Sequence, residues 1–433
     1  MPLNRPPFHP AINNEEQNGH HDNIIQKSLV AKKTTNRIRN VVDRLKIPPH
    51  PDKPMISLGL GDPTIFGNLH APPQLIKMVH EALDSGKNNG YPPAIGYEET
   101  RAAIAQRYTC PQAPLTADDV VVTSGCSGAL ELCFSVLAHA GQTILLPQPG
   151  FSLYCTLCDN KDIRVKYYRL LPERNWEIDL DHVRELLDET VVAWLINNPS
   201  NPCGSVYSAD HLRNCKLLAQ ERNLTIIADE IYEDLVFSPN IFHPIASIEP
   251  HIPLLTCGGL AKRFLVPGWR IGWILIHDPP RITTSQIRPG LCDLAGLILG
   301  ANSLIQGALP GIFTSVPQSF HQSINDYIAK NARIIYDCLQ GTPGLKLTKP
   351  QGAFYIMVGI DMDQFDLADD VLACEKLIAE ESVLCLPGII FGMPNYIRLV
   401  YCAPPEVIHT ACDRIKSFFQ QHHKHHSSQA RCQ

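Results

Sequence analysis

The sequence predicts an α/β fold: a large, doubly wound domain on a mostly parallel sheet in three layers, joined to a smaller, discontinuous α+β domain. Short β-branched runs recur at the spacing of strand–helix units. VVVT ends at Thr123, TILL at Leu146, VVAWLI at Ile196, TIIAD at Asp229, PLLTCGG at Gly259 and GWILIH at His277. Most are continuous apolar runs rather than alternating ones, the pattern of strands covered by helices on both faces. Segments with helical periodicity lie between them, among them residues 127–138 and 210–221.

The elements outside this frame follow from the same rules. Over residues 317–340, Ile324, Ile328, Ile334, Ile335, Cys338 and Leu339 repeat at helical spacing, with Gly341 placed as a stop. KLIAEESVLCLPG and YIRLVYCAP then suggest a small α+β domain, which the segment around Ile56 to Leu60 joins from the N-terminal side. The expected division is a mobile arm over 1–30, the N-terminal part of the small domain over 31–71, the large domain over 72–316, the rest of the small domain over 317–420 and a polar, His-rich tail over 421–433.

Composition narrows the function. The chain has 433 residues, 44% hydrophobic and 18% charged, with 37 Lys and Arg against 43 Asp and Glu for a net charge of −6. A chain of this length and apolar content builds a large core, which excludes a disordered chain or a small stapled fold. Its acidic balance, with no long basic run, argues against nucleic-acid binding. The 15 cysteines are scattered and odd in number. The N-terminal stretch carries Arg5, Glu15, Glu16 and Asp22 with no apolar core, so neither a secretory signal nor an acid-free presequence is expected. A reduced, cytoplasmic protein is therefore expected. Residues 294–323 lack formal charge, yet Asn302, Gln306, Gly307, Pro310 and Gly311 interrupt them. That suits a helix buried in the protein or at a subunit interface rather than a membrane span.

The chemistry concentrates in GGLAKRFLVPGWRIGW, residues 258–273. A Lys held against apolar surroundings and another cation has its pKa lowered and becomes a usable amine nucleophile, which makes Lys262 a candidate carbonyl trap. A solvated surface Lys is the plainer alternative. NNPSNPCG follows one strand, and ADEIYEDLVF ends another at Asp229. Ligands bind at the C-terminal ends of strands in open parallel sheets, so Asn201, Asp229, Tyr232 and Lys262 fall along one edge. Asp229 alone could equally be a helix N-cap.

These stretches, with GLGDPT, NNGYPPAIG, GCSGALEL, PQPGFSLY and NYIRLV, occur in the order found in class I/II aminotransferases. From about Lys32 to about Phe419 the chain resembles that group of fold-type I enzymes dependent on pyridoxal 5'-phosphate. The resemblance implies a role for each matching residue. Lys262 would hold the cofactor aldehyde and, once released, shuttle a proton between the substrate α-carbon and the cofactor. Asp229 would pair with the pyridine nitrogen, Asn201 and Tyr232 would bond the ring's 3′ oxygen, and Phe151 would stack on the ring. Gly125, Cys126 and Ser127 would meet the phosphate at a helix N-terminus, joined by Arg270. Tyr91 would reach the phosphate of a neighbouring subunit, which implies a homodimer with shared sites. Arg398 would clamp the substrate carboxylate, Gly61 would let the backbone approach the substrate, and Tyr355 could wall the pocket.

The implied activity is amino transfer from L-tyrosine, and other aromatic amino acids, to 2-oxoglutarate, giving 4-hydroxyphenylpyruvate and L-glutamate as the first step of tyrosine breakdown. The same residues would also serve another amino donor or a carbon–sulfur lyase, and a non-catalytic relative with the same fold is a further alternative. No metal is implied. Two departures bear on substrate preference: Arg37 stands where relatives usually have Pro, and Gly128 where those acting on tyrosine commonly have Gln.

Overall fold

The computed structural model describes residues 25–45, 47–278 and 285–424. Among the described residues fourteen strands form three sheets. The first, β1 (Ile56–Ser57), precedes the strands of the large sheet. The large sheet then contains β2 (Val120–Thr123), β3 (Thr143–Gln148), β4 (Arg164–Leu171), β5 (Glu177–Ile178), β6 (Val191–Asn197), β7 (Thr225–Asp229), β8 (Leu254–Gly259) and β9 (Gly272–His277). The remaining strands are β10 (Leu345–Leu347), β11 (Tyr355–Ile360), β12 (Val383–Leu384), β13 (Leu386–Pro387) and β14 (Tyr396–Val400).

The large sheet has the order β2-β9-β8-β7-β6-β3-β4-β5. Its centre is parallel, from β4 through β3, β6 and β7 to β8. β9 runs antiparallel to both neighbours. The connection 260–271 holds one short turn at Pro267–Trp269 and no helix to cross the sheet, and a bond from Leu260 N to Ile271 O at 3.1 Å brings its ends together as a loop. β4 has no continuous apolar run because polar residues interrupt RVKYYRLL: its first half is exposed or partly covered, and in its second half Tyr168 and Leu170 are buried while Arg169 is exposed.

The helices before and around the first strands are α1 (Leu29–Lys33), α2 (Arg37–Arg44), α3 (Pro73–Ser85), α4 (Glu98–Tyr108), α5 (Gly125–Leu137) and α6 (Leu153–Asn160). Next come α7 (Leu180–Leu186), α8 (Ala209–Glu221), α9 (Ile287–Gly296), α10 (Ser303–Ser315) and the long α11 (Gln318–Leu339). The last described helices are α12 (Asp370–Glu381) and α13 (Pro405–Gln421). Helices cover both faces of the large sheet. Ile227, Leu255 and Cys257 pack toward α5 and α6, whereas Ile226, Ala228 and Leu254 pack toward α8.

The uncharged stretch 294–323 is divided among α9, α10 and α11. Asn302 caps α10 by accepting from Ile305 N at 3.0 Å, and Gln306, fully buried, accepts from Tyr97 N at 2.9 Å. No described helix is long and apolar enough to cross a membrane.

β11 and β14 anchor a second, four-stranded antiparallel sheet. β1 pairs with β12, and Val400 N donates to Leu58 O at 2.9 Å, so the N-terminal segment is bonded to C-terminal strands. Two end segments differ in part from their expected character. α1 begins inside the stretch read as an arm, where Ser28 accepts from Ala31 N at 3.2 Å and starts the helix; residues 1–24 lie outside the described residues. Gln421 ends α13 rather than opening a free tail, and His422 Nε2 meets Glu380 Oε2 at 2.7 Å; residues 425–433 lie outside the described residues.

Candidate active site

The site forms where β2, β7 and β8 end. β2 passes almost directly into α5, and the turn needs Gly125: its φ is +73°, and a Cβ there would lie 2.5 Å from Arg270 Nη2. Arg270 donates to Pro267 O at 3.0 Å and to Ser124 O at 3.3 Å, which holds the guanidinium against the start of this helix. Unpaired N–H groups, the positive end of the helix dipole and a guanidinium together form a cradle for a phosphate-like anion.

Asp229 closes β7 and is 3% exposed. Its Oδ2 accepts from Tyr154 Oη at 2.7 Å, and its Oδ1 from Ile231 N at 3.3 Å and Cys126 Sγ at 3.7 Å. Burial raises the carboxyl pKa above its ordinary value, and the bonds from Tyr154, Ile231 and Cys126 work against that rise. Burial and the neighbouring Asp229 also push the Tyr154 phenol well up, so it remains a donor.

Lys262 follows β8. Its Nζ donates to Gly61 O at 2.6 Å and lies 5.8 Å from the ring centroids of both Tyr232 and Phe354. Gly61 is required by close approach, since a Cβ there would fall 2.2 Å from Tyr355 Oη. The hydroxyls of Tyr232 and Tyr355 are 2.7 Å apart.

Arg398, on β14, is 2% exposed. Nη1 donates to Asn201 Oδ1 at 3.0 Å and Nη2 to Gly59 O at 2.6 Å, while Nε has no partner. The guanidinium carbon lies 4.5 Å from each of the ring centroids of Tyr355 and Phe391, a cation–π sandwich. Among the described residues no carboxylate is paired with it, and burial lowers its pKa from the ordinary arginine value. A buried, uncompensated guanidinium calls for an anion of its own.

These groups line one cavity of about 290 Å³: Lys262, Asp229, Tyr232, Asn201, Cys126, Ser127, Phe151, Arg270, Gly61 and Arg398, with Tyr355. Gly125 lies behind Arg270 and is not on the wall. Tyr91 is 85% exposed and does not line the cavity of its own chain. A larger cavity, about 560 Å³, lies between 237–240, α11 and 349–351; it carries Lys330, Arg333 and Lys349 but none of the groups above. Among the described residues no cluster of three His, Cys, Asp or Glu side chains is arranged to hold a metal.

Sequence reasoning missed Tyr154 and Phe391. Tyr154 was visible in PQPGFSLY, three residues after Phe151, but nothing in the spacing links it to Asp229. Phe391 has no signal in the sequence. Of the two departures, Arg37 donates to Asp159 at 3.3 Å beside the cavity residue Ile38, and Gly128 has ordinary room for a Cβ, 3.6 Å from the nearest side chain.

An amine, a strand-end carboxylate and a bare buried guanidinium meeting at the edge of a mostly parallel sheet define a class, and the chain belongs to the aminotransferase class I and II family, whose model matches residues 53–415. Its similarity to individual members is extensive. It is 49% identical to tyrosine aminotransferase of Mus musculus over 410 residues, covering 94% of this chain and 90% of that protein. To tyrosine aminotransferase of Dictyostelium discoideum it is 42% identical over 405 residues, covering 92% and 97%. The solved tyrosine aminotransferase from Leishmania infantum matches with a TM-score of 0.89 at 32% identity, covering 93% of this chain and all 100% of that one.

Proposed function

We propose that the protein transfers the amino group of L-tyrosine, and of other aromatic amino acids, to 2-oxoglutarate, using pyridoxal 5'-phosphate. The observation that carries this reading is Arg398: a desolvated guanidinium with an unpartnered Nε, lining the same cavity as the amine of Lys262. It suits a carboxylate common to the amino acid and the keto acid.

The residues fit the cofactor. The glycine-dependent cradle at Gly125, with Cys126, Ser127 and Arg270, suits its phosphate. Asp229, supplied with three donors, suits a protonated ring nitrogen. Asn201 and Tyr232 would hold the ring oxygen, and Phe151 would cover the ring face. Bound there, the cofactor supplies an electron sink for the substrate α-carbon.

The chain's own groups then divide the work. Arg398 binds and orients the substrate carboxylate through its planar fork. Lys262 Nζ takes the proton from the α-carbon, acting as a general base of fixed position. Asp229 stays buried against Tyr154 and holds the charge that keeps the ring nitrogen protonated. Tyr355 and Phe391 exclude water from the two faces of Arg398, which strengthens its hold on the carboxylate.

The reading extends to a cytoplasmic homodimer with Tyr91 completing the phosphate site of the other subunit, and to a division into a large domain over 72–316 and a small domain over 31–71 and 317–420. The free state of every described cysteine supports a reducing compartment. Purified protein supplied with the cofactor, a panel of amino donors and several keto acids tests the assignment. Glutamate together with the ultraviolet signal of an aromatic keto acid is expected. Pyruvate and ammonia from a cysteine conjugate, without glutamate, would assign elimination instead.

A further inference from the structure

Tyr355 touches both halves of the candidate site. It is 2% exposed, its hydroxyl is 2.7 Å from that of Tyr232, and its ring centroid is 4.5 Å from the guanidinium carbon of Arg398. The ring of Phe354 supports it edge-on, with centroids 6.3 Å apart. The charged groups facing this pair of tyrosines are Asp229, Lys262 and Arg398.

One hydrogen bond between two hydroxyls uses one proton. Burial pushes the Tyr232 phenol well above its ordinary value, so Tyr232 keeps its own proton. If Tyr232 spends that proton on the cofactor's ring oxygen, Tyr355 must be the donor between the two tyrosines. A hydroxyl that accepts one bond donates a stronger one, because bonds in a chain polarise each other.

Resting on the cofactor reading above, we propose that Tyr355 is a positioning residue with two separable functions. Its hydroxyl strengthens the bond that Tyr232 gives to the cofactor's ring oxygen. Its ring fixes the plane of the Arg398 fork that receives the substrate carboxylate.

The two functions come apart in two variants. Tyr355→Phe removes the hydroxyl and keeps the ring; Tyr355→Leu removes both. The first readout is the pH midpoint of the absorption change of the cofactor-loaded protein without substrate. A weaker bond to the ring oxygen leaves that oxygen a better partner for the proton on the Lys262–cofactor nitrogen, so the midpoint should rise. A rise on the order of 0.3 pH unit is expected for Tyr355→Phe, less than for Tyr232→Phe. The second readout is the affinity for 3-phenylpropionate, a carboxylate without an amino group. Tyr355→Phe should bind it within about twofold of the parent, and Tyr355→Leu about tenfold more weakly. The double variant Tyr232→Phe/Tyr355→Phe should show the midpoint of Tyr232→Phe alone.

A parent protein that titrates normally, with an unmoved midpoint in Tyr355→Phe, overturns the hydroxyl function. Full additivity in the double variant overturns it too. Unchanged 3-phenylpropionate affinity in a folded Tyr355→Leu overturns the ring function. A parent protein with no titrating cofactor band overturns the cofactor reading itself, and this proposal with it.

Discussion

Tyr154 donates its hydroxyl to Asp229 Oδ2 at 2.7 Å, from the first turn of the helix that follows Phe151. The carboxylate at the end of its strand is thereby fixed from a second element. Tyr154→Phe leaves the ring packing intact but removes the shortest of the three bonds to a buried acid. Losing a hydrogen bond to a charged group costs about 1.5–3 kcal/mol, part of which the protonated carboxyl recovers. Titration of the apoprotein with pyridoxal 5'-phosphate should show affinity reduced about tenfold. Unchanged affinity would mean that Ile231 N and Cys126 are sufficient for Asp229.

Lys262→Ala should abolish transamination while leaving weak, non-covalent cofactor binding, since the phosphate cradle and Asp229 do not depend on the amine. Single-turnover assays with tyrosine and dialysis of the loaded protein measure the two effects. Substantial remaining turnover would remove Lys262 from its assigned role.

Arg398→Lys keeps the charge but loses the planar fork, and a single ammonium cannot bond Asn201 while presenting two parallel N–H groups to a carboxylate. The amino-acid KM should rise about 10–100-fold, with a smaller change in kcat. An unchanged KM would point to another carboxylate clamp.

Burial also sets the pH dependence of stability. It raises the Glu230 carboxyl from 4.5 to about 8. Between these values the folded chain holds a proton that the unfolded chain has released, so stability falls as pH rises through that window. Burial lowers His211 and His277 from 6.5 to about 4 each, so they oppose folding as pH falls through that range. Glu230→Gln keeps an acceptor for Ile245 N, which the carboxyl now bonds at 2.8 Å, and removes the first slope. Relative to the parent, the variant should gain on the order of 2 kcal/mol between pH 6 and pH 8, read from urea midpoints. Parallel pH profiles for the two proteins would show that Glu230 ionises normally.

Much of this was legible in the sequence because of where the chemistry lies. Asp229, Asn201 and Lys262 each follow a strand whose apolar run is unmistakable, so their common edge follows from the strand pattern alone. The direction of β9 was not legible, because apolar content carries no polarity and the twelve-residue connection after Gly259 is long enough for either direction. The interrupted β4 was hidden by the same rule that revealed its neighbours. Tyr154, Phe391 and the Tyr232–Tyr355 pair depend on side chains from different elements meeting in space, and periodicity within one segment cannot report that. The role proposed for Tyr91 rests on family resemblance alone, since it does not line the cavity of its own chain.

The contacts of Lys262 with Gly61 O and of Arg398 with Gly59 O have a shared consequence. Both cations rest on carbonyls of one short stretch, 59–61. A substrate carboxylate therefore does not gain a free guanidinium; it exchanges with a neutral carbonyl already in place. Affinity measures the difference between a charged and an uncharged acceptor, a fraction of the gross bond. Since both exchanges act on the same backbone, amide hydrogen exchange around Gly59 and Gly61 should respond to cofactor and to substrate as two distinct, successive steps.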